Sequence, residues 1–360
     1  MPSKPTSTAR PPHWRSDEDR VEIVLFSCGH GDTILIRLAG PKWALIDCNL
    51  PDSTAFDRFV EFLNDLDIRR LVFVALTHPD IDHYAGLADV LKHFHKDRQG
   101  VDHFYDSGIN YEEVLQSLEA IGRPPEEVRE FYRLISTVEN LQISAHRVDD
   151  KRQPIVVSGT PMQFTPIAPA ESCVLSSARR ALRSLPPGVG SNRLSLVFIM
   201  TIETTGDYRH FLLPGDADSN SLNTAVRLWR ESHKEDPGAF SVIKVSHHGS
   251  ANGHSRDVCE QHPADESYVA VISVGNKYKL PRKSVLLDYL KKNWTVLSTT
   301  TKQSGHRTNL LLDQFGERTR HEALVHQSHD IVVSWSDEHG LNWQPDWARI
   351  TLREAQDVYV

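Results

Sequence analysis

Cysteine is scarce: the 360-residue chain holds four, Cys28, Cys48, Cys173 and Cys259, far apart and with no Cys-x-x-Cys pair. That excludes a disulfide scaffold and a thiolate zinc knot, and it suits a reducing, cytoplasmic setting. No apolar run approaches the roughly 18 residues of a membrane span, so no membrane partner is expected. The first twenty residues are rich in Pro, Ser and Arg and lack the apolar stretch of a secretory signal. They read as a disordered leader. An excess of positive charge is also missing: 40 Lys and Arg against 48 Asp and Glu leave a formal charge of −8. Bulk charge therefore does not drive nucleic-acid binding, although a local basic cluster still suits phosphate. Repeats of solenoid type are absent. With 39% hydrophobic and 24% charged residues the composition is that of a folded globular chain, which excludes wholesale disorder.

What the chain has is a succession of short β-rich runs, many of them followed by helical patterns. Runs at 21–26, 33–38 and 43–46 read as strands, and a helix opens at Asp52 or Ser53 with Phe56, Phe59, Val60, Leu63 and Leu66 on one face. The continuous apolar run 71–76 suits a strand covered on both faces. Residues 111–140 carry two helical patterns split at 122–125, and 155–167 look β-like. Residues 168–193 read as a surface loop, and 194–202 with 209–213 as a hairpin. Strands at 240–245, 269–274 and 295–299 alternate with helices. The order favours a layered α/β protein with mixed sheets. The expected organisation is a leader at 1–20, a catalytic domain at 21–312 and a C-terminal appendage at 313–360 that includes a last hairpin.

Chemistry-bearing residues collect where strands end. His78-Pro79-Asp80-Ile81-Asp82-His83 places two imidazoles and two carboxylates within six residues, directly after a buried strand. A helix cap needs one such residue, not four. Neutral imidazole and carboxylate are ligands for zinc, and manganese also accepts them. The alternation assigns His78 and Asp80 to one ion, and Asp82 and His83 to a second. Asp216, in Pro214-Gly215-Asp216, follows another strand and suits a bridging carboxylate. The pair His247-His248, before Gly249-Ser250, supplies a further ligand and a neighbour for phosphate or leaving group. Which of the two is the ligand is open; His247 is assigned to metal and His248 to catalysis.

These segments resemble the metallo-β-lactamase fold, and within it the hydrolase domain of bacterial competence (DNA-uptake) channel proteins. The resemblance rests on FSCGHGDTILI at 26–36, ALIDCN at 44–49, THPDIDHYAGL at 77–87, NRLSLVF at 192–198, FLLPGDAD at 211–218, KVSHHGS at 244–250 and VISVGNKY at 271–278. It implies an αββα four-layer sandwich with two mixed sheets and a site for two divalent ions, Zn²⁺ or Mn²⁺. It also implies hydrolysis, with phosphodiester cleavage favoured. Asp32 and Asp47 match positions that buttress such a site. The family usually has Gln where this chain has His30, so His30 is not assigned. His210, the one upstream His near Asp216, is six residues away along its strand, about 20 Å at roughly 3.3 Å per residue. Asn192 or Ser195 is better placed to line the site, and the first ion is expected to lack a third His.

In the expected mechanism two ions lower the pKa of a shared water. Asp82 orients or takes its proton, and His248 or Lys277 contacts phosphate or protonates the leaving oxygen, with Ser250 alongside. Lys277, Lys279, Arg282 and Lys283 form the basic cluster for a phosphodiester, DNA or RNA, which a protein partner would deliver. Competing readings are a lactonase, thioesterase or phosphocholine esterase on the same fold, and a non-catalytic metal-binding subunit of a DNA-handling system.

Overall fold

The computed structural model describes residues 21–38, 40–107, 122–170, 192–203, 208–233, 239–261, 268–273, 280–299, 330–336, 340–344 and 349–350. The first sheet contains β1 (Val21–Leu25), β2 (Ile34–Leu38), β3 (Trp43–Ile46), β4 (Leu71–Leu76), β5 (Val101–Asp106) and β6 (Ser144–Arg147). The second contains β7 (Ile155–Val156), β8 (Met162–Ala168), β9 (Val197–Glu203), β10 (Tyr208–Leu213), β11 (Phe240–Lys244), β12 (Val269–Ile272) and β13 (Thr295–Ser298). Three late strands complete them: β14 (Ile331–Ser336) and β15 (Gly340–Gln344) join the first sheet, β16 (Arg349–Ile350) the second. The strand orders are β15-β14-β1-β2-β3-β4-β5-β6 and β16-β13-β12-β11-β10-β9-β8-β7. Both sheets are mixed: β3 to β6 run parallel, as do β10 to β13, and the remaining pairs are antiparallel.

Helices cover both outer faces. On the first sheet lie α1 (Ser53–Asp65), the one-turn α2 (Ile81–Tyr84), α3 (Leu87–Asp97) and α4 (Pro125–Asn140); on the second lie α5 (Ser219–Ser232), α6 (Arg256–Cys259) and α7 (Lys283–Lys291). α1 starts where it does because the Asp52 carboxylate accepts the Ala55 N–H at 2.9 Å. Its buried Ala55, Phe59 and Leu63 recur every four residues and press one stripe on the sheet. Between the sheets, Ile23, Ile36 and Phe73 from one meet Phe164, Phe198 and Phe211 from the other. The result is an αββα four-layer sandwich. It aligns the carboxyl ends of β3 and β4 with those of β10, β11 and β12, the edge where open α/β sheets hold ligands.

The β-like stretch 155–167 is the β7–β8 hairpin, and one expectation changes. The C-terminal segment does not stand apart: β14 pairs with β1 and β16 with β13, and Ile331 and Val333 enter the inter-sheet core. Apolar side chains on β14 need a covered face, and the open edge of β1 supplies it. The leader, the first of the two helices expected in 111–140 and most of the 168–193 loop lie outside the described residues. Among the described residues no helix is long and apolar enough to cross a membrane.

Candidate metal centre

Five loops bring the site together. The β1–β2 turn carries His30 and Asp32, the residues after β3 and β4 carry Asp47 and Thr77 to His83, the turn after β10 carries Asp216, and the 3₁₀ turn after β11 carries His247 and His248. Two glycines allow the close approach. At Gly31 (φ +131°) a Cβ would fall on the carbonyl oxygen of Asp82 and the Asn49 amide; at Gly215 (φ +54°) it would meet the Thr77 side chain. Asp47, His247 and His248 take left-handed φ values of 56°, 50° and 52°. For residues with a Cβ that conformation costs roughly 1–2 kcal/mol each, strain characteristic of functional sites.

The side chains form two triads. His78, His83 and Asp216 offer ligand atoms within 4.8 Å of one another, and so do His30, Asp82 and His248. Asp216 joins them, because its Oδ2 lies 3.5 Å from His83 Nε2 and 3.5 Å from His248 Nε2. In the second triad Asp82 Oδ2 is 3.3 Å from His30 Nε2 and 3.7 Å from His248 Nε2. These gaps exceed a good hydrogen bond, roughly 2.7–3.2 Å. They match the separation of about 3.4 Å between ligands held tetrahedrally at roughly 2.0–2.1 Å from one ion. The Nε2 atoms of His78, His83 and His248 are buried without a hydrogen-bond partner, as donor atoms reserved for a cation would be.

Hydrogen bonds behind the triads fix which imidazole nitrogen is free. Asp47 accepts Thr77 N–H (2.7 Å), Thr77 Oγ1–H (2.6 Å) and His83 Nδ1–H (2.7 Å). Thr77 has thus given its one hydroxyl proton away, so its oxygen, 3.0 Å from His78 Nδ1, accepts the proton of that nitrogen. Ser273 Oγ donates to Asp32 Oδ1 at 2.5 Å, so it too must accept, from His248 Nδ1 at 2.8 Å. All three imidazoles carry their Nδ1 proton outward and turn Nε2 inward, so that Nε2, free of any proton of its own, is the atom a metal would meet, the arrangement metal-binding His requires. His247 is the opposite case. Asn192 Nδ2, a donor, lies 3.1 Å from its Nδ1, so the neutral ring carries its proton on Nε2, 3.9 Å from Asp216 Oδ2.

Charge sharpens the picture. Burial pushes Asp216 up, but His248, His83 and His247 outweigh it and hold the carboxyl well below the ordinary range. Burial also raises Asp82, and His248 and His83 more than reverse that. Lys244 is fully buried, paired with Asp32 and 3.6 Å from Asp216 Oδ1. Asp80 Oδ2 faces His78 Nε2 at 3.6 Å while its Oδ1 accepts Arg123 Nη2–H at 2.8 Å.

The geometry redistributes the assigned residues. His83 joins His78 and Asp216 rather than Asp82, because Asp47 turns its ring that way, so the first triad has two imidazoles. Asp80, half engaged by Arg123, stands at the margin of that triad. His248 has ligand geometry and His247 donor geometry, the reverse of the assignment. His30, set aside on sequence, completes the second triad and packs on His248 with ring centres 4.4 Å apart. Ser250 closes the turn: its N–H bonds to the His247 carbonyl and its hydroxyl receives the Asn252 N–H. Ser195 is buried beside Asn192, and His210 bonds Thr201 and packs on Trp229. Lys277 and Lys279 lie outside the described residues. Sequence reasoning gave no role to Lys244, Arg123, Thr77 or Ser273, although Thr77, Lys244 and Ser273 lie within the motif segments 77–87, 244–250 and 271–278.

The class follows from this geometry: a metallo-β-lactamase-fold protein with a site built for divalent metal, a fold whose members are generally metal-dependent hydrolases. Residues 27–159 match the model of the metallo-beta-lactamase superfamily. Its structure is similar to that of a diphosphatase of the PhnP family, at 14% identity over 73% of this chain and 90% of that one, with a TM-score of 0.38. It is also similar to the metallo-beta-lactamase fold protein YhfI from Bacillus subtilis, at 11% over 77% and 95%, TM-score 0.38. A third similar structure is the metallo-beta-lactamase GOB-18 from Elizabethkingia meningoseptica, at 14% over 81% and 93%, TM-score 0.32. No curated protein matches the chain.

Proposed function

We propose that the chain is a two-metal phosphodiesterase, with nucleic acid as the leading substrate class. The observation that carries this is the pair of triads sharing Asp216, each with inward lone pairs and donor spacing that fits an ion. His78, His83 and Asp216 would hold one divalent cation, and Asp82, His248, His30 and Asp216 the other. Bound there, such ions supply an acidified water and neutralise negative charge on phosphoryl oxygens.

The protein's own groups do the rest. Asp82, partly exposed at its side chain, reaches the solvent side of the second triad and accepts a proton from attacking water. His247, with its proton on Nε2, donates to a phosphoryl or leaving oxygen. Five carboxylates (Asp32, Asp47, Asp80, Asp82, Asp216) against two fixed cations (Lys244, Arg123) leave three negative charges in excess. Two divalent ions more than offset these, so the loaded site attracts an anion. The chain's net charge of −8 makes long nucleic-acid contacts weak and salt-sensitive, which favours delivery of the strand by a protein partner.

The test is a substrate panel with zinc, manganese and magnesium tried separately at low salt: bis-p-nitrophenyl phosphate, single- and double-stranded DNA, RNA, a lactone, a thioester and a phosphocholine ester. The proposal expects phosphodiesters to be cleaved first. Rapid lactone or thioester hydrolysis with every phosphodiester intact would replace it by the other hydrolase reading.

A further inference from the structure

Lys244 is the last residue of β11, and its side chain is sealed from solvent. An ammonium has three donors and no acceptor. Around it stand the Asp32 carboxylate in direct ion-pair contact, Asp216 Oδ1 at 3.6 Å and the Gly215 carbonyl at 3.3 Å. Asp32, Asp216 and His248 are themselves a group whose ligand atoms lie within 4.8 Å of one another. His248 gives its one lone pair to the second triad, so what this group offers a further cation is its two carboxylates, with the Gly215 carbonyl beside them, and the ammonium lies against all three.

We propose that Lys244 is a built-in counter-ion that fills this third position, denying Asp32 to metal. Asp216 is thereby left with one oxygen turned to Lys244 and the other to the imidazoles, so that it alone bridges the two triads. Asp32 in turn keeps its other oxygen for Ser273, which sets the His248 tautomer. Lys244 is a positioning residue: it touches neither water nor substrate, and its effect runs through two carboxylates. The inference rests on the two-metal reading above.

The test uses the full chain as wild type, Lys244→Met and the double variant Lys244→Met/Asp32→Asn. Zinc content is measured after dialysis, and melting with and without zinc. Cobalt(II) absorption reports the coordination. The wild type is expected to hold two ions. Lys244→Met, with Asp32 released, is expected to hold three, to melt in a far more zinc-dependent way and to show an altered cobalt spectrum. The double variant is expected to return to two ions and to weaker zinc dependence. Should Lys244→Met not fold without metal, folding restored by zinc or by Asp32→Asn supports the proposal, and failure of both contradicts it. Two ions in Lys244→Met with an unchanged cobalt spectrum would overturn it while leaving the two-metal reading standing. A wild type that takes up no zinc would overturn that reading itself.

Discussion

Replacing Asp47 by Asn tests the hydrogen-bond logic behind the imidazoles with a change of one atom. The carboxylate accepts three bonds, from Thr77 N, Thr77 Oγ1 and His83 Nδ1, at 2.6–2.7 Å. An amide has one acceptor oxygen. If that oxygen takes the Thr77 N–H, the new NH₂ group faces two donors, the Thr77 hydroxyl and His83 Nδ1–H. His83 relieves the clash by moving its proton to Nε2, the atom that faces Asp216. Thr77, no longer obliged to donate to residue 47, also loses its hold on the His78 tautomer. Losing one such supporting group typically costs about 10–100-fold in metal affinity, or about 1.4–2.8 kcal/mol. Two imidazoles depend on Asp47, which places the effect at the upper end. The opposite amide orientation sets NH₂ against the Thr77 N–H, an unmet buried donor costing about 1–3 kcal/mol of stability. Zinc titration calorimetry against a competing chelator, with circular dichroism as the fold control, reads the affinity. Imidazole nitrogen shifts in NMR read the tautomer. Asp47→Asn that is folded, binds zinc as the wild type does and keeps the His83 proton on Nδ1 refutes the reasoning.

Other variants separate the roles of neighbouring residues. His248→Ala should lose metal, whereas His247→Ala should keep it and lose about 10²–10⁴-fold in turnover; the reverse pattern in metal content and rate would exchange the two roles. Asp82→Asn should abolish hydrolysis with little change in melting temperature, and wild-type turnover would remove Asp82 from the mechanism. Metal uptake should release protons. Burial pushes His83 down, but Asp216 and Asp47 on either side hold it well above the ordinary imidazole value. The metal-free fold therefore gains stability below that ordinary value and loses it as pH rises through the raised one. Zinc must displace this proton, so its affinity should fall as pH falls; calorimetry in buffers of differing ionisation heat that finds no proton release contradicts this. Gly31→Ala should destabilise the fold and loosen the second triad, since a Cβ there meets the Asp82 carbonyl and forces the β1–β2 turn away; a melting curve that matches the wild type counts against that packing.

Local pattern reveals those parts of the molecule that local physics decides. Buried strands such as β4 announce themselves as unbroken apolar runs, and α1 by its four-residue stripe and Asp52 cap. His78 to His83 stand out because four ligand-type residues share one loop. What stays hidden depends on contacts across the two sheets. β6, Ser144–Arg147, is mostly exposed, and no apolar alternation marks it. Lys244 ends a strand and draws no role from its neighbours in sequence, yet the opposing Asp32 holds it in the interior. Ser273 matters because it stands between His248 and Asp32, residues 25 and 241 positions away. His30 reaches the second triad because Gly31 lets its turn settle on Asp82. The different surroundings of His247 and His248 follow from two left-handed residues in succession, which swing one ring to Ser273 and the other to Asn192.

The most direct test of the central claim loads metal-free protein stepwise with zinc or manganese while hydrolysis of bis-p-nitrophenyl phosphate is followed. The account predicts that turnover appears only with bound metal, reaches its maximum at two ions per chain, and vanishes in His83→Ala and Asp216→Ala. Full activity in chelator-treated protein, or two tightly bound ions with no phosphodiester cleaved under any metal, would contradict it.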